Sequence, residues 1–113
     1  MLWDFEVERR DFRRHAVAMK VVEEHASGRS EAEAVDICEL GMRYVKAAGE
    51  PRSADRQVTL EFCLPGDEQP VRLRGWVASE EVQRGDRFLS VTFAFPSDAE
   101  AARLCGSLLR ADA

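Results

Sequence analysis

Long apolar runs are missing from this 113-residue sequence. No stretch approaches the roughly 20 residues that a membrane-spanning helix needs. The N-terminal MLWDFEVERR is interrupted by Asp4 and Glu6, so no secretory leader is expected there. Cysteine is scarce: Cys38, Cys63 and Cys105 lie far apart, odd in number and without a C-x-x-C pair. That pattern argues against a disulfide framework and for reduced thiols in the cytoplasm. His15 and His25 are the sole histidines, and neither stands at finger-like spacing from a cysteine, so no metal site is expected. A basic excess is missing too. Lys and Arg total 16 against 21 Asp and Glu, a net charge of -5, which argues against a general nucleic-acid or membrane surface because such surfaces need cations to displace counterions. No G-x-x-x-x-G-K-[ST] loop and no recognisable nucleophile–base pair occurs, so binding rather than catalysis is expected.

What is present fits one soluble globular domain, with 45% hydrophobic and 33% charged residues and no internal repeat or low-complexity segment. Residues 1–15 are polar and arginine-rich, with Leu2, Trp3 and Phe5 as early anchors, and read as an arm. Residues 16–113 read as the body. Period-two segments predict strands at 16–23, around 33–37, at 41–46, 56–64 and 71–78, and a last strand carrying Leu89, Val91, Phe93 and Phe95. Val17, Met19 and Val21 share one face, as do Val58, Leu60, Phe62 and Leu64; Val71, Leu73, Gly75 and Val77 point inward, with Arg72, Arg74 and Trp76 outward. Pro65-Gly66-Asp67 and Arg84-Gly85-Asp86 are turn signals, and residues 27–34, rich in Ala and Glu, read as a loop. The tail changes period. Ser97-Asp98-Ala99-Glu100 has the form of a capping box, and Ala101, Leu104, Cys105 and Leu108 then recur at helical spacing. The plan is a small antiparallel barrel closed by one C-terminal helix.

Two constellations carry chemistry. RRDFRR at 9–14 sets four arginines against one aspartate, a local charge of +3 on an acidic chain. Arginine offers five donors in a rigid plane, suited to a phosphate or a guanine edge, so the segment is either an anion clamp or a solvated arm answering Asp4, Glu6, Glu8 and Asp11. Asp36-Ile37-Cys38-Glu39-Leu40-Gly41 alternates polar residues before a glycine, which suits either a ligand approaching a strand end or a tight turn. Trp76 would meet a base or a partner, or pack between strand and helix. His15 reads as exposed, Cys63 as structural or half-buried and Cys105 as core.

Taken together, R-x-x-x-R at Arg10 to Arg14 and D-x-C-x-x-G at Asp36 to Gly41 resemble the paired motifs of the PilZ domain family, many of whose members bind cyclic di-GMP. The strand VRLRGWVA, the strand LSVTFAF and the helix entered through S-D-A-E extend the resemblance over nearly the whole chain. It implies a mainly β fold, a six-stranded antiparallel barrel with one C-terminal helix. It also implies that Arg10 and Arg14 grip guanines and phosphates, with Arg9 and Arg13 in support. Asp36 would accept from a guanine, and Gly41 would leave room for the base. Cys38 stands where the family has a serine; losing one neutral hydrogen bond there costs about 1 kcal/mol. Leu40 replaces a frequent second glycine.

Two functions follow from the resemblance. One is a signalling receptor for cyclic di-GMP, with no resident cofactor, that relays to a protein partner. The other is an adaptor that has lost the nucleotide and acts through protein contacts alone.

Overall fold

The computed structural model describes residues 15–64, 66 and 68–94. The arm arginines, the last apolar strand residue Phe95, Cys105 and the expected C-terminal helix lie outside them.

Six strands form the described fold: β1 (His15–His25), β2 (Gly28–Ile37), β3 (Gly41–Ala47), β4 (Gln57–Phe62), β5 (Val71–Gln83) and β6 (Asp86–Ala94). All neighbours are antiparallel, and the order β1-β2-β3-β6-β5-β4 closes because β1 also pairs with β4. This is the expected six-stranded antiparallel barrel. Closure gives every described strand a partner on both sides, and strongly bent strands are needed to achieve it. Three register shifts supply the bends, between Ala16 and Met19, Ala34 and Asp36, and Val77 and Ser79.

The expected apolar rows point inward. Val58, Leu60, Phe62 and Leu64 are buried, as are Val71, Leu73, Val77, Leu89, Val91 and Phe93, and Val17 and Met19 pack against them. Phe62 and Phe93 stack with centroids 6.2 Å apart. Each fully buried Leu contributes roughly 1.5–3 kcal/mol through removal of its side chain from water. Arg72, Arg74 and Trp76 are exposed, Trp76 at 51%, on the outward phase of β5. Arg84 and Gly85 both have positive φ (53° and 85°) in the two-residue β5–β6 turn, the conformation that matches the twist of a tight hairpin.

Two expectations are corrected. Residues 27–34 are not a loop: all but Ser27 belong to β2, where Ser30, Ala32 and Ala34 face inward against the outward Arg29, Glu31 and Glu33. Small, weakly β-forming side chains hid an alternation that pairing with β1 enforces. Cys63 is exposed rather than half-buried, its thiol 3.8 Å from the Glu68 carbonyl just beyond the end of β4.

Candidate functional site

The D-x-C-x-x-G segment forms the β2–β3 hairpin. Cys38 and Gly41 exchange backbone hydrogen bonds (2.9 and 3.3 Å) around a two-residue turn of Glu39 and Leu40. Neither turn residue has positive φ, so Leu40 occupies its place without backbone strain. Its carbonyl accepts from Phe93 N at 2.8 Å, tying the turn to β6.

The bulge at the end of β2 decides which way Asp36 faces. Ala34 pairs with Tyr44, but Asp36 pairs with Arg43, leaving Val35 as the extra residue. Without that insertion the alternation Ser30, Ala32, Ala34 would carry residue 36 into the core; with it, Asp36 shares the outer phase of Arg43 while Ile37 is fully buried opposite Met42. Asp36 is half-buried and already engaged in the fold. On its other side Asp36 pairs with Ala16, and His15 pairs with Ile37. Arg14 is one peptide bond before His15, so the chain enters the barrel beside Asp36. Arg9, Arg10, Arg13 and Arg14 themselves lie outside the described residues.

Gly41 is dictated by the barrel itself. A Cβ there would fall 2.1 Å from the Val91 carbonyl oxygen and 3.2 Å from Thr92 Cα, both backbone atoms of β6. Thr92 pairs with Gly41 on one side and Trp76 on the other, so the exposed indole stands in the same cross-strand row as the motif glycine. Cys38 is buried, at 4% exposure. Arg43 is half-buried, its guanidinium 5.4 Å from the centroid of the Phe88 ring.

A second polar cluster occupies the far end of β1–β3, and no sequence reading singled it out. Glu23 (1% exposed) receives the Tyr44 hydroxyl on Oε2 and Lys46 Nζ on Oε1 at 2.5 Å. Lys46 also donates to the Pro51 carbonyl at 2.5 Å, and His25 Nε2 lies 3.4 Å from Glu23 Oε1 and 3.3 Å from Pro51 O. Burial, reinforced by the facing Glu23 carboxylate, holds the Tyr44 hydroxyl protonated well above the usual phenol range, so it stays a donor. The signal was there: Val21–Glu23 and Met42–Tyr44–Lys46 continue two inward rows in phase, ending in opposite charges. The cluster anchors the loop after β3 across the barrel mouth, with the Glu23, His25 and Lys46 side chains each at most 1% exposed.

The described residues form the six-stranded antiparallel barrel that the motifs implied. No family model and no curated protein sequence matches the chain. Among solved structures it is similar to the Bacillus subtilis inhibitor of motility MotI/DgrA, with TM-score 0.73 and 16% identity over 92% of this chain. It is also similar to the Borreliella burgdorferi PlzA protein in complex with c-di-GMP, with TM-score 0.56 and 10% identity over 98% of this chain. The chain spans about half the length of both, 51% and 55%.

Proposed function

We propose that the chain is a PilZ-type signalling protein that binds cyclic di-GMP on the outer face around Asp36 and relays the signal to a protein partner. The observation that carries this reading is the bulge at Val35, which turns the motif aspartate outward beside the point where the arginine motif joins β1. Arg10 and Arg14 would grip the guanines and the two phosphates, and Asp36 would accept from the guanine N1–H and amino group. Arg9 and Arg13 double the cation density. The chain as a whole is acidic, net -5, and repels long polyanions while the clamp retains a compact dianion. The c-di-GMP in the PlzA structure supports the ligand class, and a motility inhibitor among similar folds supports relay to a partner.

Calorimetric titration with cyclic di-GMP is expected to give saturable heat, and Trp76, in the Gly41 row, to change its fluorescence. Arg10→Ala should weaken binding by about 10- to 100-fold, the scale of a lost charge-assisted bidentate contact. No heat and no thermal shift at tens of micromolar ligand overturns the reading in favour of the nucleotide-free adaptor, whose partner would stay bound in Arg14→Ala. That second reading draws on Cys38, whose 4% exposure leaves little for a ligand to touch. Cys38→Ser tests it separately. A hydroxyl at 38 should raise the ligand-induced thermal shift above that of the parent protein, and equal shifts mean that position 38 does not reach the ligand.

A further inference from the structure

We propose that Arg43 is a guanine-reading residue that works with Asp36 across β3. This rests on cyclic di-GMP binding as proposed above and goes beyond the two sequence motifs, neither of which includes Arg43. The bulge at Val35 makes Asp36 and Arg43 cross-strand partners on the outer face. Asp36 stands on the β2 side. The Arg43 guanidinium lies over Phe88 of β6, so the two groups flank the outer surface of β3.

That surface is bare where it meets the hairpin, because Gly41 carries no side chain. Among the described residues Arg43 forms no ion pair: of the two carboxylates lining the same hollow of about 310 Å³, Glu80 is taken by Arg52 and Arg87, and Glu81 accepts from Gln83 Nε2 at 2.7 Å. A guanidinium set over an aromatic ring and unpaired among the described residues is a pre-oriented donor pair. Guanine matches the arrangement. It presents donors at N1 and N2, which a carboxylate accepts, and acceptors at O6 and N7, which arginine meets in bidentate fashion. Adenine offers the opposite pattern at N6 and N1, so the same pair of side chains would reject it.

The test compares cyclic di-GMP with its 7-deaza analogue, which lacks the N7 acceptor, by calorimetry on the intact chain and on Arg43→Ala and Arg43→Lys. The parent protein should bind the analogue about tenfold more weakly, the scale of a lost bidentate base contact. Arg43→Ala should bind cyclic di-GMP about tenfold more weakly and lose most of the preference for it over the analogue. Arg43→Lys, with a single-point donor, should fall between. Because each ratio is taken within one protein, a change in stability leaves it unmoved. An Arg43→Ala variant that keeps the parent affinity, or keeps the parent ratio, overturns the assignment while leaving cyclic di-GMP binding intact. Absence of binding by the parent protein overturns both.

Discussion

Lys46→Ala should lower the unfolding free energy by about 3–5 kcal/mol, because it strands the Glu23 carboxylate inside the barrel. The lysine side chain is 1% exposed and donates to both Glu23 and the Pro51 carbonyl, so its removal unmakes a buried ion pair and frees the loop it ties down. Total stability for a domain of this size is about 5–15 kcal/mol. The loss is therefore a large share, and denaturation in urea should show a markedly lower midpoint with an unchanged slope. The double variant Glu23→Gln with Lys46→Met should recover most of it. That pair removes both charges, keeps an acceptor for the Tyr44 hydroxyl and fills similar volume. A Lys46→Ala protein within 1 kcal/mol of the parent, roughly the scale of a surface pair, would mean that water takes the place of the ammonium and that the cluster is not sealed.

Gly41→Ala is expected to cost about 3 kcal/mol and to disturb the β3–β6 pairing. The added methyl would meet the Val91 carbonyl at 2.1 Å, and no rotamer relieves a clash between a Cβ and a backbone atom. Relief requires β3 to move away from β6, which breaks the pairing of Gly41 with Thr92 and the bond from Phe93 N to Leu40 O. Gly49→Ala is the control: nothing lies within 4 Å of its added methyl, and stability should change by no more than about 0.5 kcal/mol. Hydrogen exchange gives the local readout. Gly41→Ala should lose protection along β3 and the end of β6; retained protection there with an unchanged midpoint would show that the strands can part at no cost. Any loss of cyclic di-GMP binding in this variant would follow from displacement of the hairpin that carries Asp36.

The two substitutions also mark how far the sequence could be read. The motif glycine was legible as a glycine that matters, and the resemblance assigned its missing side chain to a base. The barrel gives that absence a use of its own, since the Val91 carbonyl lies where a Cβ would be. Asp36 was legible as a site residue but not its direction, because residues 27–34 read as loop and the inserted Val35 cannot be seen in an alternation that small side chains obscure. Glu23 and Lys46 are not legible as a buried pair, because in sequence each looks like a solvated charge at a strand end. Only the pairing of β1 with β2, and of β2 with β3, brings them to one side of the barrel mouth.

By itself, then, the sequence determined the strand character of most of the barrel, the inward faces of β4, β5 and β6, the β5–β6 turn and the residue types of the candidate clamp. All of these follow from chemistry within a few neighbouring residues: a two-residue period, turn-forming dipeptides and arginine density. The tertiary structure alone decided the closure of β1 onto β4, the full length of β2, the outward turn of Asp36, the setting of Arg43 over Phe88 and the sealed pair of Glu23 with Lys46. Each of these depends on register between strands distant in sequence. One inserted residue reverses which face a side chain takes, and that register is fixed only when the whole barrel is packed.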